Sequence, residues 1–427
     1  MTEKLLQYIW QFQYFNRSNL VTTTGEELQI ISPGSANTDQ GPDFSNARVK
    51  IGNAVLAGSI ELHIKTSDWE KHKHGSDANY NNVILHVVLE NDVEQRTSIP
   101  VLELQSRIPK LLLHNYEHLM NNSSFIPCAN SIQQVKDITW QAWKERLLAE
   151  RLTRKSIFVL SLLEANNFHW EETFWLLLAR NFGIKVNADA FEQMAKETPL
   201  NVLAKHKNQI HQVEALLMGQ AGLLHDSFKE SYPQLLHREY IFLKTKYKLQ
   251  PIHTPVHFLR MRPQNFPPVR LAQLAMLVHT STHLFTKLLE ADSLKEIKKW
   301  LHVTANDYWH YHYRFDEPSE YNPKKLGSNM IDNIIINTLV PLLFTYGKYH
   351  NEEKFKLKAL NWLENVKAEN NAVTSGFDKI SVINKSAYDS QALIEMKNEY
   401  CNNKRCLQCS VGNAILKNHH VPSPEDG

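Results

Sequence analysis

Three ionisable side chains share one face of a predicted β-strand in the first quarter of the chain. The strand is AGSIELHIK, residues 57–65, and side chains along a strand alternate between its two faces. Glu61, His63 and Lys65 therefore lie on one side, joined by Asp43 if the preceding strand pairs with this one. Carboxylates bind Mg²⁺ or Mn²⁺, and a nearby cationic group stabilises charge on phosphate. The pattern predicts a divalent-metal site, and the alternative is an amphipathic strand with a solvated face.

A histidine-rich turn follows this strand. His72 and His74 are separated by one residue, and Asp77 comes three residues later. Imidazole is the commonest protein ligand for transition metals, and it also transfers protons beside metal sites. These residues are therefore candidate accessory groups, as metal ligands or as groups that bind phosphate. His86 lies within the next predicted strand, and we expect it to be a hydrogen-bonded core histidine.

The four cysteines of the chain form a second candidate metal site. Cys401, Cys406 and Cys409 follow the spacing C-x4-C-x2-C, which lets thiolates in a tight turn converge on one metal or cluster. Cys128 follows the N-terminal module, where the end of the chain can return to meet it. Thiolates suit both Zn²⁺ and iron–sulfur clusters, so the spacing leaves both open. The alternative is four unrelated thiols that pack as small hydrophobic groups.

The elements that position the first site are predicted to form a compact α/β module over residues 1–125. The amphipathic segment LLQYIWQFQYF opens it as a helix. Runs rich in Val, Ile and Leu, with glycine or asparagine between them, predict strands over 26–32, 47–52, 57–65 and 81–90. With a short helix before the last strand, the predicted order is α-β-β-β-α-β.

The rest of the chain is predicted to be mostly α-helical. Apolar residues recur at helical spacing through residues 135–395, beginning with Asp137 as an expected N-cap. Residues 396–418 form a cysteine-rich segment, and residues 419–427 are expected to be a disordered tail.

Composition gives no strong indication of a partner. The formal net charge of +2 excludes a global electrostatic attraction to nucleic acid or membrane, so any basic site must be local. Four cysteines in 427 residues are too few for a disulfide framework. We find no signal-peptide pattern, and the apolar run at 333–344 is too short to span a bilayer. We therefore expect a soluble cytoplasmic protein with no membrane partner.

One arginine-rich loop in the helical half could bind phosphate. Arg260, Arg262 and Arg270 surround a proline-rich loop that precedes a predicted helix. Arginines at such a position suit contacts with a nucleic-acid backbone. The alternative is that they brace the helix junction.

The N-terminal motif resembles the core of the PD-(D/E)XK nucleases. GPDF matches the PD element at Asp43, and ELHIK matches the acidic position at Glu61. His63 stands where that family has lysine, and Lys65, two residues later on the same face, could serve instead. The family's acidic residue from the first helix has no clear equivalent here. The resemblance implies an α-β-β-β-α-β fold that gathers Mg²⁺ or Mn²⁺ at Asp43 and Glu61.

The whole chain also resembles an uncharacterised bacterial family of unknown function. The shared segments are GPDF, ELHIKTSDWEKHKHGSDANYNNVILHVV, RPQNFPPVRLAQLA and the terminal cysteines. This second resemblance implies no activity beyond what the residues indicate.

These patterns together predict a metal-dependent phosphodiesterase that acts on DNA or RNA. In this hypothesis Asp43 and Glu61 bind the metal, and His63 with Lys65 positions water or the scissile phosphate. Two alternatives stay open. One is a non-catalytic scaffold for nucleic acid or protein with a degenerate nuclease site, and the other is a histidine-rich metallohydrolase unrelated to nucleases.

Overall fold

The chain divides into two compact units. The computed structural model describes residues 1–37, 40–93, 98–225, 227–259, 261–281 and 283–417. Unit 1 comprises Met1–Trp143 and Met396–Gly427, and unit 2 comprises Lys144–Glu395. The boundary after Trp143 falls inside a long helix.

The helices and strands follow one another in an order that separates a β-rich start from a helical remainder. Up to residue 121 they are α1 Glu3–Gln11, β1 Leu28–Ser32, β2 Ser35–Ala36, β3 Phe44–Ile51, β4 Ala54–Lys65, α2 Asp68–Lys71, β5 Val83–Glu90, β6 Val101–Glu103 and α3 Lys110–Asn121. The next are α4 Asp137–Ala165, α5 Trp170–Phe182, α6 Ile184–Lys196, α7 Leu200–His206, α8 Ile210–Gln220, α9 Ser231–Tyr247, α10 Pro267–Thr280, α11 Leu284–Glu290 and α12 Leu294–Leu301. The last are β7 His312–Arg314, β8 Glu317–Pro318, α13 Ser328–Ile334, α14 Val340–Tyr349, α15 Glu353–Asn365, α16 Ala372–Asp378, α17 Ala387–Glu395 and α18 Ser410–Lys417.

A mixed sheet forms the centre of unit 1. Within the described residues it has six strands in the order β1-β3-β4-β5-β6, with β2 paired to β3. Strands β3 and β4 are antiparallel, joined by a tight turn, and β5 runs parallel to β4 after the α2 crossover. The long strand β4 therefore lies between partners of both orientations, and residues 60–63 are buried on both of its faces.

Helix α1 packs against β4 and brings polar side chains to it. Thr2 caps the helix by accepting a hydrogen bond from the backbone N–H of Leu5. Leu5, Leu6 and Ile9 form the buried face of the helix. Gln7 is only half-buried and is free to reach the edge of the sheet.

Unit 2 is helical and has a single large apolar cluster, to which residues from Leu148 to Ala387 contribute. The amphipathic spacing predicted for this half accounts for it, because each helix buries its apolar stripe against its neighbours. Trp309 is fully buried in unit 2 and donates its indole N–H to Glu214 at 3.1 Å.

One helical stretch of unit 2, Ser328–Tyr349, is long and apolar enough to cross a membrane by length and composition. Of its apolar window, 72% is buried inside the protein, which is what a core helix shows. The run predicted at 333–344 lies within it, interrupted by a π-helical turn at Ile335–Leu339 just before Pro341. Proline cannot donate a backbone hydrogen bond, and a π turn is one way to accommodate that loss.

The predicted fold class is confirmed at the level of a mixed α/β module followed by a mostly helical region. Unit 1 also takes in the chain from Met396 onward, which the sequence set apart as its own segment. The predicted disordered tail, 419–427, lies outside the described residues.

Candidate metal centre

Neighbouring parallel strands place two buried histidines in contact. Glu61 of β4 is in register with His86 of β5, and His63 follows two residues later on the same face. Nδ1 of His63 lies 2.9 Å from Nε2 of His86, and both side chains are at most 2% exposed. His86 is thus the hydrogen-bonded core histidine that was predicted, and its partner is a residue of the site itself.

The turn after β4 brings two more imidazoles to His63. His72 caps the short helix α2, and Lys73 then adopts the left-handed conformation with φ of 59°, which redirects the chain at His74. Nε2 of His63 lies 3.1 Å from Nδ1 of His72, and the rings of His63 and His74 stack with centroids 5.2 Å apart. One ligand atom from each of these three histidines lies within 4.8 Å of the other two. Three imidazoles at this separation can hold a transition-metal ion.

Glu61 lies beside this triad and connects it to Asp43. Its Oε1 is 3.6 Å from Nε2 of His63 and 3.5 Å from Nε2 of His74. The latter nitrogen is buried and, within the part of the chain that the structure describes, has no hydrogen-bond partner. The other oxygen, Oε2, accepts the backbone N–H of Asp43 at 3.0 Å. One oxygen of Glu61 is therefore fixed by the backbone, while the other faces the histidines.

Asp43 is held by hydrogen bonds on both of its carboxylate oxygens. Oδ1 accepts the side-chain N–H of Gln7 at 2.7 Å, and Oδ2 accepts the backbone N–H of Leu62 at 3.0 Å. Asp43 lies beside Glu61, because Asp43 directly precedes β3 and the first residue of that strand, Phe44, pairs with Ile60 of β4. Both oxygens of Asp43 are nevertheless occupied by these donors.

Burial makes the two carboxyl groups weak acids. It raises the pKa of Glu61 to about 8, and the nearby negative charges of Asp43 and Glu3 raise that pKa further. The pKa of Asp43 is raised to about 6, first by burial, with Glu3 adding to it against the hydrogen bond from Leu62. Carboxylates confined in this way gain most from a nearby cation, whose charge stabilises the ionised form.

Burial has the opposite effect on the histidines. It lowers the pKa of His63 to about 3 and that of His86 to about 4, with neighbouring histidines adding to both shifts. Both rings are therefore neutral at physiological pH, which is the form that binds metals. If Nε2 of His63 is a ligand, its Nδ1–H donates to His86, the outer contact that orients a metal-binding imidazole.

Aromatic side chains wall the site. The Trp69 ring makes edge contacts with His63 and His74, and Tyr80 stacks on His74 with centroids 3.8 Å apart. Trp69 is buried, since it lies on the inner face of α2. Their packing fixes the ring planes of His63 and His74, while His72 is exposed to solvent.

Two of the predicted site residues have local partners. Lys65 lies at the end of β4, with Nζ 3.7 Å from Glu90 and 44% of its side chain exposed. Asp77 accepts the backbone N–H of Asn79 at 2.9 Å and so caps a short 3₁₀ turn. Lys65 is thus accessible to solvent at the end of β4, whereas Asp77 stabilises the turn that follows His74.

The first helix contributes two residues that sequence did not assign. Gln7 donates to Asp43, and Glu3 is close enough to raise the pKa of both Asp43 and Glu61. Glu3 is the first residue of α1, and this helix packs on β4. The sequence feature that could have indicated these two residues is their i, i+4 spacing, which puts Glu3 and Gln7 on one face of the helix.

The arginine loop of unit 2 is only partly available for binding. Arg270 is buried, and its guanidinium donates to Asn265 and, at 3.0 Å, to Gln273. These contacts correct its predicted role, because a buried guanidinium that braces the start of α10 cannot contact a phosphate backbone. Arg262 is exposed, and Arg260 lies outside the described residues.

All four cysteines lie in unit 1 and are buried. Within the described residues none of them forms a disulfide. Cys128, distant in sequence, is close enough to Cys406 and Cys409 for their charges to raise the pKa of its thiol, after the larger effect of burial. The predicted return of the chain end to Cys128 is therefore present.

Comparison with known proteins gives a family but no described activity. No curated protein and no solved structure matches the chain. A family model described as "Protein of unknown function (DUF2851)" matches residues 3–372, which covers both the sheet and most of the helical unit. The chain therefore belongs to this family of proteins of unknown function.

Proposed function

We propose that unit 1 is a metal-dependent phosphodiesterase that acts on nucleic acid. The observation that carries this proposal is the position of Glu61, a buried carboxylate whose free oxygen faces two imidazoles of a three-histidine cluster. Glu61 and His63 are both buried, and such polar groups are costly to keep in a fold, because each of them loses hydration. A bound cation with a water in reach offsets that cost.

The donor set favours a transition ion over Mg²⁺. Imidazole nitrogens suit Zn²⁺, Mn²⁺ or Fe²⁺, whereas Mg²⁺ prefers an all-oxygen shell. His63, His72 and His74 would hold the ion, leaving a further position open as in catalytic sites with three protein ligands. This replaces the earlier hypothesis of Mg²⁺ bound directly by Asp43, whose two oxygens already accept hydrogen bonds.

The residues around the cluster account for hydrolysis. A bound ion would supply Lewis-acid activation of water and of the phosphoryl group. Oε1 of Glu61 accepts the proton of the attacking water as the new P–O bond forms and the bond to the leaving oxygen breaks. Asp43 fixes Glu61 through its backbone N–H. Lys65, at the exposed rim, stabilises charge on the phosphate.

Phosphodiesters are the substrate class for which the chain offers support. The proposal draws on the order α1, β1, β2, β3, β4, α2, β5, with Asp43 directly before β3 and Glu61 on the neighbouring β4, and on the α-β-β-β-α-β order that the PD-(D/E)XK resemblance implies. Arg262 of unit 2 is exposed and available for a phosphate contact. An Arg262→Ala variant should lower the salt dependence of nucleic-acid binding by about one unit of slope.

The test is cleavage by the purified full chain. Single- and double-stranded DNA and RNA are incubated with Mn²⁺, Zn²⁺, Co²⁺ or Mg²⁺, together with the generic diester bis(p-nitrophenyl) phosphate. Glu61→Gln and His74→Ala should each lower cleavage by about 100-fold or more, the usual effect of losing a general base or a ligand. Glu117→Gln and His114→Ala, exposed positions on α3, are matched controls that should retain full activity.

Two results would overturn the proposal. One is full activity in both site variants. The other is an inactive wild-type protein that has bound metal, as judged by elemental analysis. Hydrolysis of carboxylic esters without cleavage of any phosphodiester would instead favour the alternative metallohydrolase, for which the histidine cluster is equally suitable.

A further inference from the structure

The four cysteines of unit 1 lie together in a buried region that is separate from the histidine cluster. Their side chains are between 4% and 8% exposed. Cys128 directly precedes the 3₁₀ turn Ala129–Gln134, while Cys406 opens the turn Cys406–Gln408 and Cys409 immediately precedes α18. Every cysteine of the chain is in this one place, which four unrelated hydrophobic thiols would not require.

Two hydrogen bonds hold the C-terminal segment against the residues that precede Cys128. Nζ of Lys397 donates to the backbone carbonyl of Phe125 at 2.7 Å, and Lys404 donates to the carbonyl of Met120. Helix α18 packs on α3 and on the turn after Cys128. The approach of Cys128 to the other three therefore follows from several contacts of the fold.

The four thiols are close enough to influence one another electrostatically. Burial raises the pKa of every one of them, and the charge of Cys409 raises the pKa of the other three further. All four thiols therefore lie within one buried region.

Hydrogen-bond donors point at one of the sulfurs. The backbone N–H groups of Gly412 and Val411 are directed at the thiol of Cys409. A side chain at position 412 would have its Cβ 2.3 Å from the carbonyl oxygen of Cys406, so only glycine permits this approach. N–H donors to sulfur are the outer contacts that tune thiolate-bound centres.

The separation of the sulfurs is larger than a single tetrahedral ion requires. Four thiolates around one Zn²⁺, at about 2.3 Å each, have sulfur–sulfur distances of about 3.8 Å. Among the described residues, ligand atoms of three or more His, Cys, Asp or Glu lie within 4.8 Å of one another only at the histidine triad. No three of the cysteine sulfurs are therefore at the spacing of a zinc site, although all four share one buried region. A cluster of several iron and sulfide ions holds its cysteines further apart.

We propose that the four cysteines of unit 1 hold an iron–sulfur cluster. The arrangement has the ligand number of such centres, four cysteine thiolates, and the burial and N–H donors that they use. The proposal does not depend on the proposed function, since it uses other residues and predicts its own observable.

The first experiment uses the wild-type full chain purified without oxygen. We expect a brown protein with broad visible absorption and with equal amounts of iron and acid-labile sulfide, two to about four of each per chain. The same product should form when metal-free protein is treated with Fe²⁺ and sulfide. A colourless protein with about one Zn²⁺ at this site, or one that takes up neither iron nor sulfide on reconstitution, overturns the proposal.

Variants then identify the ligands. Cys128→Ser and Cys409→Ser should each lose most of the iron, the sulfide and the visible absorption, while far-ultraviolet circular dichroism monitors folding. Asn402→Ser, an exposed position beside Cys401, is the matched control and should keep the full content. His63→Ala should keep the cluster as well, because it affects only the other site. Full iron and sulfide in folded Cys128→Ser would overturn the four-ligand site.

Discussion

At the scale of single residues, Glu61 is the carboxyl group of the site whose protonation the fold alters most. Glu61 is only 6% exposed. Its carboxyl group lies between the backbone N–H of Asp43 and two imidazoles, and the acids Asp43 and Glu3 are close by. The environment opposes ionisation, and a cation at the histidines would favour it. The protonation state of Glu61 therefore shows whether a cation is bound at the histidine cluster.

The first prediction concerns pH and stability in chelator-treated protein. The pKa of Glu61 rises from 4.5 to about 8 on folding, so between these values the folded state binds more protons than the unfolded state. Stability should then fall as pH rises, by up to about 1.4 kcal/mol per pH unit. The range from pH 6.5 to 8 is the cleanest, because His63 and His86, with lowered pKa, act in the opposite direction only below 6.5.

The measurement compares chemical unfolding of the wild type and Glu61→Gln across that range. The wild type should lose stability relative to the variant as pH increases, and added Zn²⁺ or Mn²⁺ should remove the difference in slope. Parallel curves for the two proteins without metal would show that Glu61 is ionised throughout.

The second prediction distinguishes an imidazole ligand from a lysine-like role at position 63. His63→Lys places a cation among three other histidines and a buried carboxylate. We expect loss of bound Zn²⁺ or Mn²⁺, because an ammonium group at neutral pH cannot donate a lone pair. Isothermal titration with each metal measures this, with His114→Lys on the exposed face of α3 as the control. Retained or increased Mg²⁺-dependent cleavage by His63→Lys would instead support the lysine role.

At the scale of elements, the turn between α2 and β5 determines whether the histidines meet. His63 is fixed by β4, but His72 and His74 depend on the left-handed residue between them, Lys73. A non-glycine residue in this conformation costs about 1 kcal/mol. The register of β4 on β5 fixes the other side, since it aligns Glu61 with His86.

The third prediction tests this turn. Lys73→Gly should raise stability by up to about 1 kcal/mol and keep metal affinity, because glycine adopts positive φ without steric cost. Lys73→Val should lower both, since a branched side chain opposes that backbone. Thermal unfolding and metal titration check the pair, with Lys71→Val in the preceding helix showing the effect of the side chain alone. Equal metal affinity in Lys73→Gly and Lys73→Val would mean that the turn does not control the site.

At the scale of the whole molecule, unit 1 is built from both ends of the sequence. Met396, Tyr400, Val411 and Leu416 of the returning segment are each at most 4% exposed. Burying a large apolar side chain stabilises a fold by about 1.5–3 kcal/mol. Four such residues contribute as much as the total stability of many domains, which is about 5–15 kcal/mol.

The fourth prediction follows from this organisation. A chain ending at Glu395 should lose the cooperative unfolding of unit 1, whereas residues 144–395 expressed alone should fold around their own apolar cluster. Calorimetry and circular dichroism of the two fragments and the full chain measure this. Cooperative unfolding of unit 1 in the chain ending at Glu395, at the temperature seen for unit 1 in the full chain, would contradict the prediction.

The sequence alone determined whatever depends on local periodicity. Alternation along β4 put Glu61, His63 and Lys65 on one face, and helical spacing separated the sheet module from the helical remainder. The cysteine spacing likewise gave three potential ligands in one turn. These features need no knowledge of distant partners, because the backbone geometry of a strand, helix or turn is enough.

Only the tertiary structure decided which distant residues meet. The pairing of β4 with β5 brought His86 to His63, and the packing of α1 on β4 brought Gln7 to Asp43. Arg270 was buried by its own helix junction, which no local pattern distinguishes from an exposed arginine. The physical reason is that burial and long-range contacts depend on how whole elements pack, and one chain's periodicity does not specify that packing.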